Sequence, residues 1–225
     1  MLFAKRAMAL ILFLAFLHSP AEAAPSHTQA AVPGYISIQI DPLKNKLLIV
    51  DAQGNALKSY PIALGTPKTP TPTGDYVVIN KYKNWGSGFG TRWIGLNVPW
   101  GTYGIHGTNR PHSIGHDASH GCIRMLNKHV EALYELVEIG TKVTIRGHVL
   151  GEPHLNPRPL AKGDSGGEVL LLQNRLRGGA YYKGVCNGKF DSSTEYAMKL
   201  YEKANDLPID GVVSFQDYVS LGLVE

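Results

Sequence analysis

Tyr35-Ile36-Ser37-Ile38-Gln39-Ile40-Asp41-Pro42-Leu43-Lys44-Asn45-Lys46-Leu47-Leu48-Ile49-Val50 sets the architecture. Ile36, Ile38 and Ile40 fall on one side of an extended chain, and Ser37, Gln39 and Asp41 on the other. This two-residue period belongs to a strand with one buried face. Asp41 to Asn45 reads as a turn and Leu47 to Val50 as the returning strand. Outward from there the pattern repeats. Asp51-Ala52-Gln53-Gly54-Asn55 is a hairpin turn, and strands follow at Leu57–Ala63, Tyr76–Ile79, Ile94–Val98, Tyr103–His106 and Lys142–Ile145. One segment breaks the rhythm. Between about Asn127 and Val137 the apolar residues Val130, Leu133, Tyr134 and Val137 recur at spacings of three and four, predicting a helix with Asn127 as N-cap. Short strands separated by turns, with one helix, predict a mainly β domain over 35–146, a sandwich or barrel.

The flanks read differently. Gly147 to Lys162, with Pro153, Pro157 and Pro159, lacks periodicity and reads as a linker. Beyond it the period becomes helical: Val169, Leu172, Gln173 and Leu176 share one face, Thr194, Ala197, Leu200 and Tyr201 a second, and Phe215, Tyr218 and Leu221 a third. Residues 163–225 therefore predict a small three-helix domain, with a core marginal by itself. At the other end, Lys5 and Arg6 precede an apolar run from Ala7 to Leu17, followed by Ala21-Glu22-Ala23. Basic, apolar, small is the order of a secretory signal peptide over 1–23, and the run is shorter than the roughly 20 residues that span a bilayer. Residues 24–34 read as a spacer. No later run is long enough to span, so the remainder reads as soluble and exported, to the cell wall, periplasm or medium.

Composition narrows the function classes. Apolar residues at 44% and charged residues at 18% describe a folded chain. Removing residues 1–23 lowers the formal charge of +4 by one, a mild and scattered excess. There is no basic run, aromatic-basic repeat or phosphate-cradling glycine loop, so nucleic acid is excluded as a partner.

The chemistry gathers around one sulfur. His106, His112, His116, His120 and His129 crowd about Cys122, within the runs His106-Gly107-Thr108-Asn109 and Ser119-His120-Gly121-Cys122-Ile123-Arg124-Met125. A cysteine in a glycine-flanked loop ahead of a helix is a candidate thiolate, because free amides at a helix start and a nearby imidazolium lower its pKa. A histidine within reach then suffices for covalent acyl transfer, backbone amides around Gly121 and Cys122 can face a developing oxyanion, and Gly121 permits close approach. Two other readings stand beside this one: a structural thiol among surface histidines, and a metal site using His116, His120 and Cys122. Against the metal stand the lack of a zinc-type cysteine pair and the glycines at 115 and 121. The second cysteine, Cys186, lies far off, and pairing it with Cys122 would consume the nucleophile.

The run from His106 to Met125 resembles the L,D-transpeptidase signature: a His-Gly, a spacer, then Ser-x-Gly-Cys-[Ile/Val]-Arg-Met. Gly65 followed by Thr71-Pro72-Thr73-Gly74-Asp75-Tyr76 is similar to that family's upstream segment, and Asn127 and Leu133-Tyr134 also fit. The resemblance implies an L,D-transpeptidase-like β-sandwich over Tyr35 to Arg146. It further implies Cys122 as nucleophile toward a tetrapeptide stem, with His106 as base oriented by the Gly107 carbonyl, and the amides of His120, Gly121 and Cys122 as oxyanion hole. Release of D-Ala and capture of the thioester by an amine gives a cross-link. The resemblance implies no metal or organic cofactor, and acylation by carbapenem-type β-lactams.

Around this core, Ser119 reads either as a substrate or His106 contact or as a turn-capping hydroxyl, and Arg124 either as a clamp on a substrate carboxylate or as half of an ion pair. His112, His116 and His129 read as solvated. Trp85, Trp93 and Trp100, with Phe89 and Tyr103, form either a cleft wall or ordinary core; Tyr82 and Trp85 are the candidates for substrate contact.

Residues 163–225 resemble a peptidoglycan-binding three-helix domain through Gly163-Asp164-x-Gly166, Val169-x-x-Leu172-Gln173, Tyr181-Tyr182-x-Gly184 and Asp210-Gly211. Ala180 stands where that family has glycine, Tyr201-Glu202 replaces Phe-Gln, and Ser214 to Tyr218 replaces a Gly-Pro-x-Thr-Trp-like segment. The combined expectation is an L,D-transpeptidase whose partners are stem peptides and glycan. An L,D-carboxypeptidase using water as acceptor, a non-catalytic wall-binding protein and a metal-binding protein are the alternatives. Oligomeric state is not legible.

Overall fold

The computed structural model describes residues 35–151 and 155–224; the signal-peptide and spacer readings lie outside them. Its strands are β1 (Ser37–Asp41), β2 (Lys46–Val50), β3 (Ala56–Pro61), β4 (Leu64–Gly65), β5 (Gly74–Lys83), β6 (Arg92–Leu96), β7 (Tyr103–His106), β8 (Asp117–Ser119), β9 (Ile123–Arg124) and β10 (Lys142–Ile145). The helices are α1 (Asn127–Leu136), α2 (Gly167–Gly178), α3 (Ser192–Ala204) and α4 (Phe215–Ser220).

Eight strands form one mixed sheet in the order β3-β2-β1-β10-β5-β6-β7-β9, with β4 and β8 as a separate parallel pair. β1 runs parallel to β10 and β7 parallel to β9; the other neighbours in the large sheet are antiparallel. The domain is mainly β, as expected. Its period-2 alternation turns Ile38, Ile40, Leu47, Ile49, Val143 and Ile145 to one face, where they pack with Ile94, Ile105 and Ile123. α1 covers that face with Val130 and Leu133, and each such side chain contributes roughly 1.5–3 kcal/mol by leaving water.

Asn127 is the first helical residue instead of the cap, because its side chain is engaged elsewhere; the cap position falls to Leu126, which supplies no side-chain hydrogen bond. The far end of α1 is held by Lys81, whose Nζ donates to the Val137 carbonyl at 2.6 Å and lies 4.2 Å from the Tyr134 ring centroid. A cation there complements the negative end of the helix dipole.

β5 is longer than the alternation suggests. Val78 pairs with Leu96 and Asn80 with Gly95, so the register shifts between them. Such a bulge reverses which face later residues present. Tyr76 and Val78 point into the core, whereas Asn80 and Tyr82 join Gly95 and Trp93 on the opposite face.

α2, α3 and α4 enclose a second core built on Val169, Leu172, Leu176, Phe190, Met198 and Tyr218. Leu200 is exposed, and Met198 fills the place expected of it; Phe215 is exposed as well. The core reaches back into the expected linker: Leu160 is buried and pairs with Val213. α3 begins with Asp191 accepting from the Ser193 and Thr194 amides, and α4 with a Ser214–Asp217 capping box. The capping box and the buried Tyr218 are what the departures at Ser214 to Tyr218 place there. Ala180 adopts φ 63°, the left-handed conformation for which glycine is suited.

Candidate active site

The face of β6, β7 and β9 away from the core carries the site. Ile105 pairs with Ile123 and His106 with Arg124, and both isoleucines are buried in the core. Alternation therefore directs Gly104, His106, Cys122 and Arg124 to the other face. Cys122 stands beside Gly104, and His106 lies two residues along the neighbouring strand. The sequence-predicted nucleophile and base thus share one face of adjacent strands.

His106 is buried in aromatic surroundings. Its ring lies 5.8 Å from that of Trp93 at 23°, and 5.0 Å from Phe89 edge-on. Trp85 packs on Trp93 at 4.3 Å and stacks with Tyr82 at 5.9 Å, so an aromatic path leads from the exposed Tyr82 and Trp85 to the imidazole. Gly95 and Gly104 make room for the Trp93 indole, since a Cβ on Gly104 would stand 2.7 Å from Trp93 Cζ2. Asn80 Oδ1 accepts from the indole N–H at 3.0 Å. Sequence reasoning missed Asn80 and left Trp93 between wall and core, because the bulge that brings Asn80 to this face has no signature in alternation.

His106 Nδ1 lies 2.5 Å from the Gly107 carbonyl. Asn127 ties the residue after Gly107 to the start of β6: its Oδ1 accepts from the amides of Thr91 at 3.3 Å and Thr108 at 3.1 Å. Burial lowers the His106 pKa to about 4; the Gly107 hydrogen bond works against this, the charge of Arg124 adds to it, and a weaker backbone bond from Phe89 opposes it. The imidazole is neutral at physiological pH.

Burial works against the thiolate that the loop suggests. Burial pushes the Cys122 thiol up, and a backbone hydrogen bond with Gly104 and the charge of Arg124 offset this only in part. The helix start invoked for the sulfur lies at Asn127, beyond β9, and the neighbouring imidazole is uncharged.

The loop before Cys122 is tightly held. Ser119 is 2% exposed; its hydroxyl donates to the Cys122 carbonyl at 2.6 Å and accepts from the Gly121 amide at 3.0 Å. Of its two readings, the structure gives the loop-holding one, and the buried hydroxyl is not presented to a substrate. The same bond occupies the Gly121 amide expected in the oxyanion hole, leaving those of His120 and Cys122. Gly121 has φ 107°, and a Cβ there would stand 2.7 Å from Tyr103 Cε1. The upstream motif clasps this loop: Thr66 N and Thr69 Oγ1 both donate to the Ser119 carbonyl at 3.1 Å, and Thr71 Oγ1 accepts from Gly65 N.

Arg124 faces the same side as His106 and Cys122, and among the described residues no carboxylate forms an ion pair with it. His112, His116 and His120 are exposed. His129 is not solvated as expected: it is half-buried against Tyr60 at 5.0 Å, and burial lowers its pKa. Cys122 and Cys186 are both free thiols.

Residues 36–145 match the family model described as "L,D-transpeptidase catalytic domain", and residues 165–216 that of a "Putative peptidoglycan binding domain". Over 114 residues the chain is 45% identical to "Putative L,D-transpeptidase YkuD" of Bacillus subtilis, covering 51% of this chain and 66% of that protein, just under two thirds. It is 35% identical to "Putative L,D-transpeptidase YqjB" of the same organism over 51% of this chain and 73% of that one. Among solved structures, an L,D-transpeptidase from Mycobacterium tuberculosis aligns with a TM-score of 0.44 at 21% identity, over 50% of this chain and 58% of that one.

Proposed function

The chain belongs to the L,D-transpeptidase family, and we propose that it cross-links peptidoglycan by acyl transfer through a Cys122 thioester. The observation that carries this reading is the placement of Cys122 and His106 on one face of adjacent parallel strands, with His106 Nδ1 held by the Gly107 carbonyl. An Nδ1–H donated to that carbonyl leaves the lone pair on Nε2, where a base is required.

With both partners neutral at rest, the thiol proton moves to Nε2 as sulfur attacks the carbonyl after the L-centre of the third stem residue. The C–S bond forms, and the amides of His120 and Cys122 receive the oxyanion. As the C–N bond to D-Ala breaks, the proton passes from His106 to the departing amine. An acceptor amine then attacks the thioester; C–N forms, C–S breaks, and the amine proton returns through His106 to sulfur. Arg124, unpaired and on the same face, is suited to a stem carboxylate. Tyr82 and Trp85, exposed and stacked, offer apolar surface to the stem or glycan. The chain would act outside the cytoplasm, where its substrate lies, after removal of residues 1–23, and the helical domain would hold it to the wall.

Incubating the purified protein with tetrapeptide muropeptides tests this. Cross-linked dimers and released D-Ala are expected, and neither from Cys122→Ala. Tripeptides without dimers would replace transfer by hydrolysis. No product from the wild type would overturn the reading altogether.

A further inference from the structure

The turn from β6 to β7 carries Trp100 to the helical domain. A Cβ built on Gly188, which has φ 69°, would stand 2.6 Å from Trp100 Cε3, and one on Gly167 3.8 Å from Trp100 Cη2. The ring therefore lies on backbone at Gly188 that only glycine leaves open, and touches that of Gly167 at ordinary contact distance. That backbone is firmly set. Gln173, wholly buried, accepts from the amides of Gly188 at 2.9 Å and Asn187 at 3.0 Å, and donates to the Lys189 carbonyl at 2.9 Å and to Thr194 Oγ1 at 3.0 Å. Gly166 N donates to the Gly188 carbonyl at 2.9 Å.

On its other side Trp100, like Tyr103, packs against the β core. The Tyr103 ring closes on Gly121, and the Thr102 carbonyl, between the two aromatics in sequence, is 3.9 Å from Cys122 Sγ. A short run of contacts thus joins the buried amide of Gln173 to the nucleophile.

We propose that the helical domain buttresses the acyl-transfer site and that Trp100 is a positioning residue: seated on Gly188 and Gly167, it holds Thr102 and Tyr103 against Cys122. A domain serving only as a tether would affect reactions with intact wall and leave a small soluble acyl donor untouched. The proposed buttress affects both. This inference rests on the Cys122 acyl-transfer reading.

The test uses the full chain and a carbapenem as the small donor, following the Cys122 adduct by intact mass alongside thermal melting. Gly188→Val drives a side chain into the Trp100 ring; Trp100→Ala removes the ring without adding bulk and decides the matter if the valine variant does not fold. Misplacement by about 1 Å costs on the order of 10²-fold in rate, so at least a tenfold slower acylation is expected of both variants. Trp100→Phe should recover much of it, and the double variant should be no slower than Trp100→Ala, since both act through one contact. Folded variants acylated at the wild-type rate would overturn the proposal. A wild type that forms no adduct would remove the parent reading and this one with it, whereas an acylated wild type with indifferent variants removes this one alone.

Discussion

The hydroxyl of Ser119 and the carbonyl of Cys122 are joined by a 2.6 Å hydrogen bond that closes the nucleophile loop on itself. The same oxygen accepts from Gly121 N, so one side chain fixes the backbone on both sides of the Gly121 turn.

Ser119→Ala orphans the buried Gly121 amide, costing roughly 1–3 kcal/mol, and leaves the part-buried Cys122 carbonyl without its partner. The variant is expected to melt lower and to lose kcat at nearly unchanged KM, because the loop aligns sulfur and amides without touching the stem. Steady-state kinetics with a soluble tetrapeptide donor check this. A rise in KM with kcat preserved would restore Ser119 to substrate binding.

The neutral pair predicts an unusual pH profile. With His106 near 4, the base is already deprotonated well below neutrality, so kcat/KM should show its acid limb near pH 4 and no inflection between 6 and 7. Alkylation of Cys122 by iodoacetamide should keep rising on the alkaline side of an ordinary thiol, since burial raises its pKa. Stability follows the same shift. An unfolded histidine binds its proton near pH 6.5, the folded one near 4, so the unfolded state gains protons first as pH falls. Stability is full above about 6.5 and is lost between the two values, a dependence that His106→Gln should flatten in melting curves.

What the amino-acid order reveals follows from which forces are local. Ile38, Ile40, Leu47 and Ile49 declare their strands because burial of one face imposes a period of two, and Cys122 and His106 stand out by motif as the proposed nucleophile and base. Asn80 was hidden by a bulge that alternation does not mark. Asn127 resembled a cap because the residue type suits one, while its actual partners, the Thr91 and Thr108 amides, lie 36 and 19 residues away. The charge state of Cys122 depends on burial and on where a helix begins, and both are decided by tertiary packing.

Ala180 offers a test in the helical domain. A left-handed conformation costs a residue with a Cβ about 1–2 kcal/mol, part of which glycine returns as unfolded-state entropy. Ala180→Gly is expected to stabilise the protein by about 0.5–1 kcal/mol in denaturant titration, with acylation of Cys122 unchanged. Destabilisation would mean that the methyl group contributes packing that outweighs the strain.

Asn127 should matter to catalysis without touching substrate. Its Oδ1 draws in the amides of Thr91 and Thr108, and Gly90 and Gly107 are so close that a Cβ on either would collide with it. The Gly107 carbonyl, proposed to set the His106 tautomer, lies within this arrangement. Asn127→Ala frees both amides, so the carbonyl can turn and the imidazole can place its proton on the nitrogen facing sulfur, where it cannot act as base. We expect kcat to fall by at least tenfold with little change in KM. Asn127→Asp keeps an acceptor at the same point and should retain most of the activity lost by alanine. Because the side chain also holds the start of α1, loss of stability alone would not be decisive. The tautomer is read directly from the ¹⁵N shifts of the His106 ring, and an alanine variant with unaltered shifts and unaltered kcat would show that the Gly107 carbonyl needs no support from Asn127.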